Sequence, residues 1–202
     1  MVSSDLTIFT VYVDSATLRC CLVPCVQALS CSPAFIALRS TGPMSLAAAY
    51  NRLLYACRTR FVMFAHPDTI FSEDVLRCAD GIYQEDRIGA MGIVGKGHDR
   101  ETYWANAIAE PVSVSTLDSC CIIVDRKHGM RFDSRVFDGL HLCVEDYCCQ
   151  VRAVRRDVLV LVDPAAAHGS VTVSQRGTAW GGYWMYRVAL ERKWALLGVE
   201  TT

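Results

Sequence analysis

Four small polar groups in an otherwise apolar chain have residue types and spacing suited to chemistry. The first is His66-Pro67-Asp68, directly after the apolar run FVMFA (61–65). An imidazole and a carboxylate two residues apart, just past a strand end, can face one site. A hard divalent ion carrying a diphosphate needs only one or two protein carboxylates, and this spacing suits that task. A turn in which Asp68 caps the next helix explains the same residues without any ligand. The second group is Glu145-Asp146, at the start of an amphipathic stretch. The helix dipole alone favours acids there; the functional reading aims one carboxylate into a pocket as a general base. His141, four residues earlier, is placed to contact the same pocket. The third is His168 in PAAAHGS, a surface residue unless the fold brings it beside Asp68. The fourth is Asp118-Ser119-Cys120-Cys121, where a carboxylate leads into a strand and either meets an acceptor hydroxyl or ends a turn.

Cysteine is abundant, at 11 residues, but its spacing is not that of a metal site. Cys20, Cys21, Cys25 and Cys31 contain no C-x₂-C pair, and no second pair follows at zinc-ribbon distance. Cys143, Cys148 and Cys149 form a weak cluster with His141, and core packing accounts for them better. The chain has no GxSxG, and GIVGKG (92–97) lacks the Ser or Thr that a phosphate-binding loop needs after its GK pair.

These groups need elements to hold them. LTIFTVYVD (6–14) reads as a buried strand, 15–30 as a helix begun near Ser15, and AFIALRS (34–40) as a second strand. A turn at Thr41-Gly42-Pro43 leads to a helix over 45–57, with Leu46, Tyr50, Leu53, Leu54 and Cys57 on one face. FVMFA is a third strand, followed by a helix over 72–84 with Ser72 as cap and Glu73 and Asp74 in its first turn. Apolar strands alternating with helices predict a mostly parallel sheet covered on both faces. Ligands of such sheets bind outside the carboxyl ends of the strands, where Asp14, Arg39 and the His66–Asp68 turn all fall. Further on, 88–95 reads as a small-residue strand, 96–111 as a polar loop or short helix, and 112–126 as two strands flanking Asp118. A loop with a helical fragment over 132–142 precedes the amphipathic helix, and 157–163 is another strand. The final helix, 180–198, carries Tyr183, Tyr186, Leu190, Trp194 and Leu197 at three- and four-residue steps.

Composition narrows the classes. The 202 residues are 52% apolar and 20% charged, enough for one well-packed domain and too apolar for disorder. Lys and Arg total 20 against 21 Asp and Glu, for a net charge of −1, so no polybasic nucleic-acid surface is expected. MVSSDLTIFTVYVD lacks the basic start of a signal peptide, and reduced, buried thiols fit a cytoplasmic protein. Residues 20–38 carry no charge, but Pro24, Gln27 and Pro33 interrupt them, so no membrane span is expected.

In this order, the pieces resemble the GT-A fold glycosyltransferases, most closely a small family 2-like branch. The matching segments are the strand ending in Asp14, SLAAAYNRLLYACRTRFVMFAHPD, VSTLDSCCIIVDR and FDSRVFDGLHLCVEDYCCQVRAVRRDVLVLVDPAAAHGS, covering about 6–170. Departures are His66 in place of the first acid of the metal motif, and Ser40-Thr41 in place of an Asn. The resemblance implies a single α/β domain: a nucleotide-binding half (about 1–95), an acceptor and catalytic half (about 96–170), and a C-terminal aromatic helix (171–202). It implies Asp146 as catalytic base. Val13, Asp14, Arg39, Asn51, His66 and Asp68 would bind the donor, and Asp118, His141 and Glu145 the acceptor. Asp68 and His168 would hold Mn²⁺ or Mg²⁺. The implied reaction is inverting transfer of a sugar from a nucleotide-diphosphate sugar, UDP-linked by preference, to a small-molecule acceptor. The aromatic helix reads first as packed on the sheet; its rings lining the acceptor pocket or a homodimer interface are the alternatives. A non-catalytic sugar-nucleotide or partner-binding module and a nucleotidyltransferase are the competing readings.

Overall fold

The structure, a computed structural model, describes residues 1–41, 45–169 and 180–195. Gly42, Pro43, Leu197 and part of the 171–202 segment lie outside the described residues. The amino-terminal half is a run of strand and helix units: β1 (Leu6–Tyr12), α1 (Ser15–Cys20), α2 (Leu22–Ala28), β2 (Ala34–Arg39), α3 (Leu46–Ala56), β3 (Phe61–Ala65), β4 (Thr69–Ile70) and α4 (Glu73–Ile82). The expected helix over 15–30 is two helices. Pro24 has no N–H to give, and its ring crowds the carbonyl four residues back, so the first helix stops at Cys20. Ser72 caps α4 as expected, accepting from Asp74 N.

The second half holds β5 (Ile88–Gly92), β6 (Val94–Lys96), β7 (Thr102–Trp104), β8 (Val112–Ser113), β9 (Thr116–Leu117), β10 (Cys121–Asp125), α5 (Cys143–Ala153), β11 (Asp157–Val160), β12 (Ala167–His168) and α6 (Trp180–Ala195). The single strand expected over 88–95 leaves the main sheet at Ile93, and 96–111, expected as a loop or short helix, is loop and turns interrupted by β7 and contains no helix. Cross-strand pairing decides this: Val94 lies opposite Trp104, and Lys96 opposite Thr102. The 132–142 stretch holds turns and no regular helix.

Seven strands form the main sheet in the order β2-β1-β3-β10-β5-β11-β8. β2, β1 and β3 are parallel, as are β5 and β11, while β10 runs against both its neighbours and β8 against β11. The centre is dense. β3, β5 and β10 are buried throughout. Between β5 and β10 the backbones approach closely: a Cβ on Gly92 would meet Cys121 O at 2.5 Å, so only glycine fits. Rings of Tyr50, Phe64, Phe132 and Tyr147 pack over this sheet, with Tyr50 stacked on Phe64 at 4.0 Å. All cysteines are unpaired, and Cys57, Cys120, Cys121, Cys143, Cys148 and Cys149 are buried, packing as small apolar residues.

β2 departs from the expected burial. Its residues are apolar to Leu38 yet mostly exposed, because β2 is the edge of the sheet. The aromatic helix follows its spacing: Tyr186, Leu190 and Trp194 are buried, and Trp184 points outward. No described helix is long and apolar enough to cross a membrane.

Asn51 belongs to the architecture. Its Nδ2 donates to Phe132 O (2.7 Å) and its Oδ1 accepts from Phe132 N (3.0 Å), tying α3 to the loop before α5. That use of both amide ends takes it out of the expected donor-binding set. Asn51→Ala should cost about 1–3 kcal/mol by leaving two backbone groups unpaired. Chemical denaturation measures this.

Candidate functional site

The site lies at the carboxyl edge of β1, β2 and β3. His66 and Asp68 form the turn that leaves β3. Two bonds to one carbonyl pin this turn: His66 N (2.8 Å) and Thr69 Oγ1 (2.8 Å) both donate to Cys120 O. β10 runs antiparallel to β3, so its first residues stand beside the last of β3, with Cys121 opposite Ala65. That register delivers Asp118, whose Oδ1 accepts from Cys120 N at 2.7 Å. His168 arrives from far along the chain. β12 pairs with β4, placing His168 opposite Thr69, and Gly169 N donates to Asp68 O at 3.1 Å.

One donor atom each from His66, Asp68 and His168 lies within 4.8 Å of the others, spacing that can surround a cation. Asp118, Cys120 and His168 form a second, overlapping set. His168 Nε2 stands 3.2 Å from Asp68 Oδ1, an ion-pair distance, and it is sealed from water with no aligned hydrogen bond among the described residues. A buried imidazole nitrogen that faces a carboxylate without an aligned hydrogen bond is a fitting ligand atom, so these residues suit a divalent cation. Burial pulls His66 below the usual imidazole range, against the attraction of Asp118. At Asp68 burial acts upward, but His168 and His66 outweigh it and hold the carboxyl low. At His168 burial acts downward and is overridden by Asp68, leaving the imidazole raised.

Beside Asp118 opens a cleft of about 220 Å³, walled by Lys96, Thr102, Thr116, Leu142, Glu145, Tyr183 and Arg187 among others. His141 stands behind it, its ring 5.8 Å from that of Tyr183, and burial lowers its imidazole while Asp118 pulls upward. Glu145 faces the cleft. Its Oε2 is sealed and unpartnered, and burial, with Asp118 adding, pushes its carboxyl up to about 8.

Asp146 does not face the cleft. It is fully buried, accepting from Trp194 Nε1 (2.8 Å) and Gln150 Nε2 (3.0 Å), with Lys193 Nζ at 2.8 Å. Saturated by three donors, it clasps α5 to α6 and is not placed to take a substrate proton; Asp125, held by Arg60, and Asp163, held by Ser72, are saturated in the same way. Glu145 Oε2, by contrast, has no hydrogen-bond partner among the described residues.

The remaining expected residues share the edge without joining the cluster. Asp14 is the N-cap of α1, with Ala16 N, Thr17 N and Thr17 Oγ1 donating to it. Those bonds, the hydroxyl's first, hold its carboxyl at about 2. Val13 and Arg39 are exposed at the ends of β1 and β2. Sequence reasoning missed Lys96 and Arg187 as cleft walls. A lysine closing a strand was a weak signal; nothing in the spacing of α6 pointed to Arg187.

No family model matches the sequence, and no curated protein matches it. Its backbone does match solved structures. One is GalNAc-T7 with UDP, GalNAc and Mn²⁺ (TM-score 0.58, 6% identity, 80% of this chain and 42% of that one). Another is the mannosyltransferase PcManGT from Pyrobaculum calidifontis with GDP-Man and Mn²⁺ (TM-score 0.57, 11% identity, 78% and 56%). A third is TarS 1–349 of S. aureus (TM-score 0.54, 12% identity, 80% and 59%). This is a GT-A fold. At such identity the likeness concerns the fold alone, and the chain spans about half the length of these proteins. Within the GT-A fold the His66–Asp68 turn, Asp118 and His168 stand at the crevice outside the strand ends, where open α/β sheets bind ligands.

Proposed function

We propose that this protein is a metal-dependent, inverting glycosyltransferase that uses a nucleotide-diphosphate sugar, with UDP as the preferred nucleotide. The observation that carries this is the convergence, around Asp118, of the His66, Asp68 and His168 ligand set on one side and, on the other, the buried Glu145 carboxylate, whose Oε2 has no hydrogen-bond partner among the described residues. The solved neighbours that bind UDP or GDP-Man with Mn²⁺ support the donor class. Mn²⁺ or Mg²⁺ held by His66, Asp68 and His168 would act as a Lewis acid toward the charge that develops on the leaving diphosphate. Glu145 takes the acceptor proton as the nucleophile attacks the face of the anomeric carbon opposite the leaving group. One displacement inverts the configuration. Asp118 and His141 orient the acceptor hydroxyl, and Lys96 and Arg187 close the far wall. Val13, Asp14 and Arg39 border the donor's nucleotide end.

The test is calorimetric titration of the protein with Mn²⁺ and UDP-, GDP- and dTDP-sugars, followed by product analysis. Donor binding that requires the cation, and a product of inverted anomeric configuration, are expected. Cation-independent binding would sink the ligand assignment, and a retained configuration would sink the single displacement. His168→Ala should weaken Mn²⁺ binding by no less than the ~10–100-fold that outer partners of a metal site command. A protonated imidazole cannot ligate, so Mn²⁺ affinity should rise with pH through the raised His168 value. Equilibrium dialysis at several pH values reads both effects.

A further inference from the structure

β2 (Ala34–Arg39) ends the main sheet, and among the described residues no strand lies beyond it. Ile36 is 42% exposed and Leu38 41%. Natural edge strands are usually blunted by lysine, an inward charge, a bulge or proline. This one has none within it: AFIALR is apolar to its last residue, and its pairing with β1 runs without interruption from Thr7↔Ala34 to Tyr12↔Arg39.

The direction of its free backbone groups follows from the inner ladder. Ser40 N donates to Tyr12 O (2.8 Å), while Tyr12 and Arg39 are the register pair. In a parallel ladder the residues flanking the register partner bond inward, and the partner itself turns its N–H and C=O outward. Arg39, Ala37 and Phe35 therefore present their backbone groups to the open edge, and Ile36 and Leu38 present theirs to β1.

We propose that β2 pairs antiparallel with β2 of a second copy of this chain, making one continuous sheet across a two-fold axis at Ala37. A two-fold axis perpendicular to the sheet keeps each face on its own side, so only residues of the same face can stand opposite each other. Centring on Ala37 satisfies this and matches the outward groups. Ala37 bonds the partner's Ala37, and Phe35 bonds the partner's Arg39, so every outward N–H and C=O of the strand finds a mate. Ile36 falls opposite the partner's Leu38 in a non-hydrogen-bonded pair, where side chains stand closest. The two exposed aliphatic side chains of each strand thereby cover those of the other. Arg39, the only charge in the strand, meets an aromatic ring and not a second arginine, which removes the like-charge objection to self-pairing. Such an interface is isologous and closes at two copies.

Sedimentation velocity or light scattering at micromolar concentration tests this. The full chain should have the mass of two copies. Ala37→Pro removes the outward N–H at the axis in a position where an edge strand tolerates proline, and should give a folded monomer by circular dichroism. Ile36→Lys should also give a monomer, and Ile36→Lys with Leu38→Glu should restore the dimer, because each lysine then faces a glutamate of the partner. A monomeric wild type overturns the proposal. So does a dimer that survives Ala37→Pro or is lost in Trp184→Ala, since either result moves the interface away from β2. Failure of the paired charges to restore association overturns the register.

Discussion

On the proposed transferase reading, Glu145→Gln should lower the rate of glycosyl transfer by about 10²–10⁴-fold, the usual contribution of a positioned general base, and leave donor affinity intact. The amide keeps the volume and the cleft wall but cannot accept a proton. The wild-type rate should climb with pH through about 8, where burial and Asp118 have moved the Glu145 carboxyl, and this limb should vanish in the variant. Stability has the opposite dependence. A carboxyl raised from 4.5 to about 8 in the folded chain favours folding while protonated; that contribution is full below pH 4.5 and is lost as pH rises through about 8. Glutamine has no proton to lose, so the variant should match or exceed the wild type in stability at alkaline pH. Rate profiles and thermal melts across pH measure the two effects. Wild-type turnover in Glu145→Gln would end the base assignment, and a binding-only protein would show donor affinity with no transfer in either form.

Asp146→Ala acts on the fold. Removing one member of a buried, charged network costs about 3–5 kcal/mol, which for a chain of this size lowers the melting temperature by roughly 10 °C. Trp194 Nε1 and Gln150 Nε2 lose an acceptor, and Lys193 loses one of its two carboxylate partners among the described residues, keeping Asp133 at 2.8 Å. The anchor of α6 loosens, and with it the wall that Tyr183 and Arg187 give the cleft. Below its melting temperature the variant should keep the alkaline limb of its rate profile, because Glu145 remains. A variant that melts like wild type but has lost that limb would return the base role to Asp146. Differential scanning calorimetry beside the pH–rate profile separates the two cases.

These two adjacent acids show where sequence reasoning stops. The pair itself was legible: acids opening an amphipathic helix after an FD…H stretch. Which of them faces the cleft was not. Successive residues on a helix point about 100° apart, so the choice depends on how α5 is rotated against the sheet and on what α6 brings to its other side. The resemblance pointed to Asp146; Lys193 and Trp194, from the far end of the chain, claim that carboxylate and leave the cleft to Glu145.

The longer strands β1, β2, β3, β10 and β11, most helices and the α/β class followed from the sequence, because period, caps and apolar runs are local properties. FVMFA could only be a buried strand, and an acid or histidine following it could only stand at a strand end. The sequence by itself therefore determined a sheet edge bearing His66 and Asp68. Long-range pairing decided the rest. His168 becomes a ligand candidate because β12 pairs with β4, a contact no local pattern encodes. Asn51 became a strut because Phe132 lies across from it, and the apolar strand β2 became an exposed edge because nothing among the described residues pairs beyond it. Those outcomes depend on which segments meet, and the free energy of meeting is shared among side chains distant along the chain.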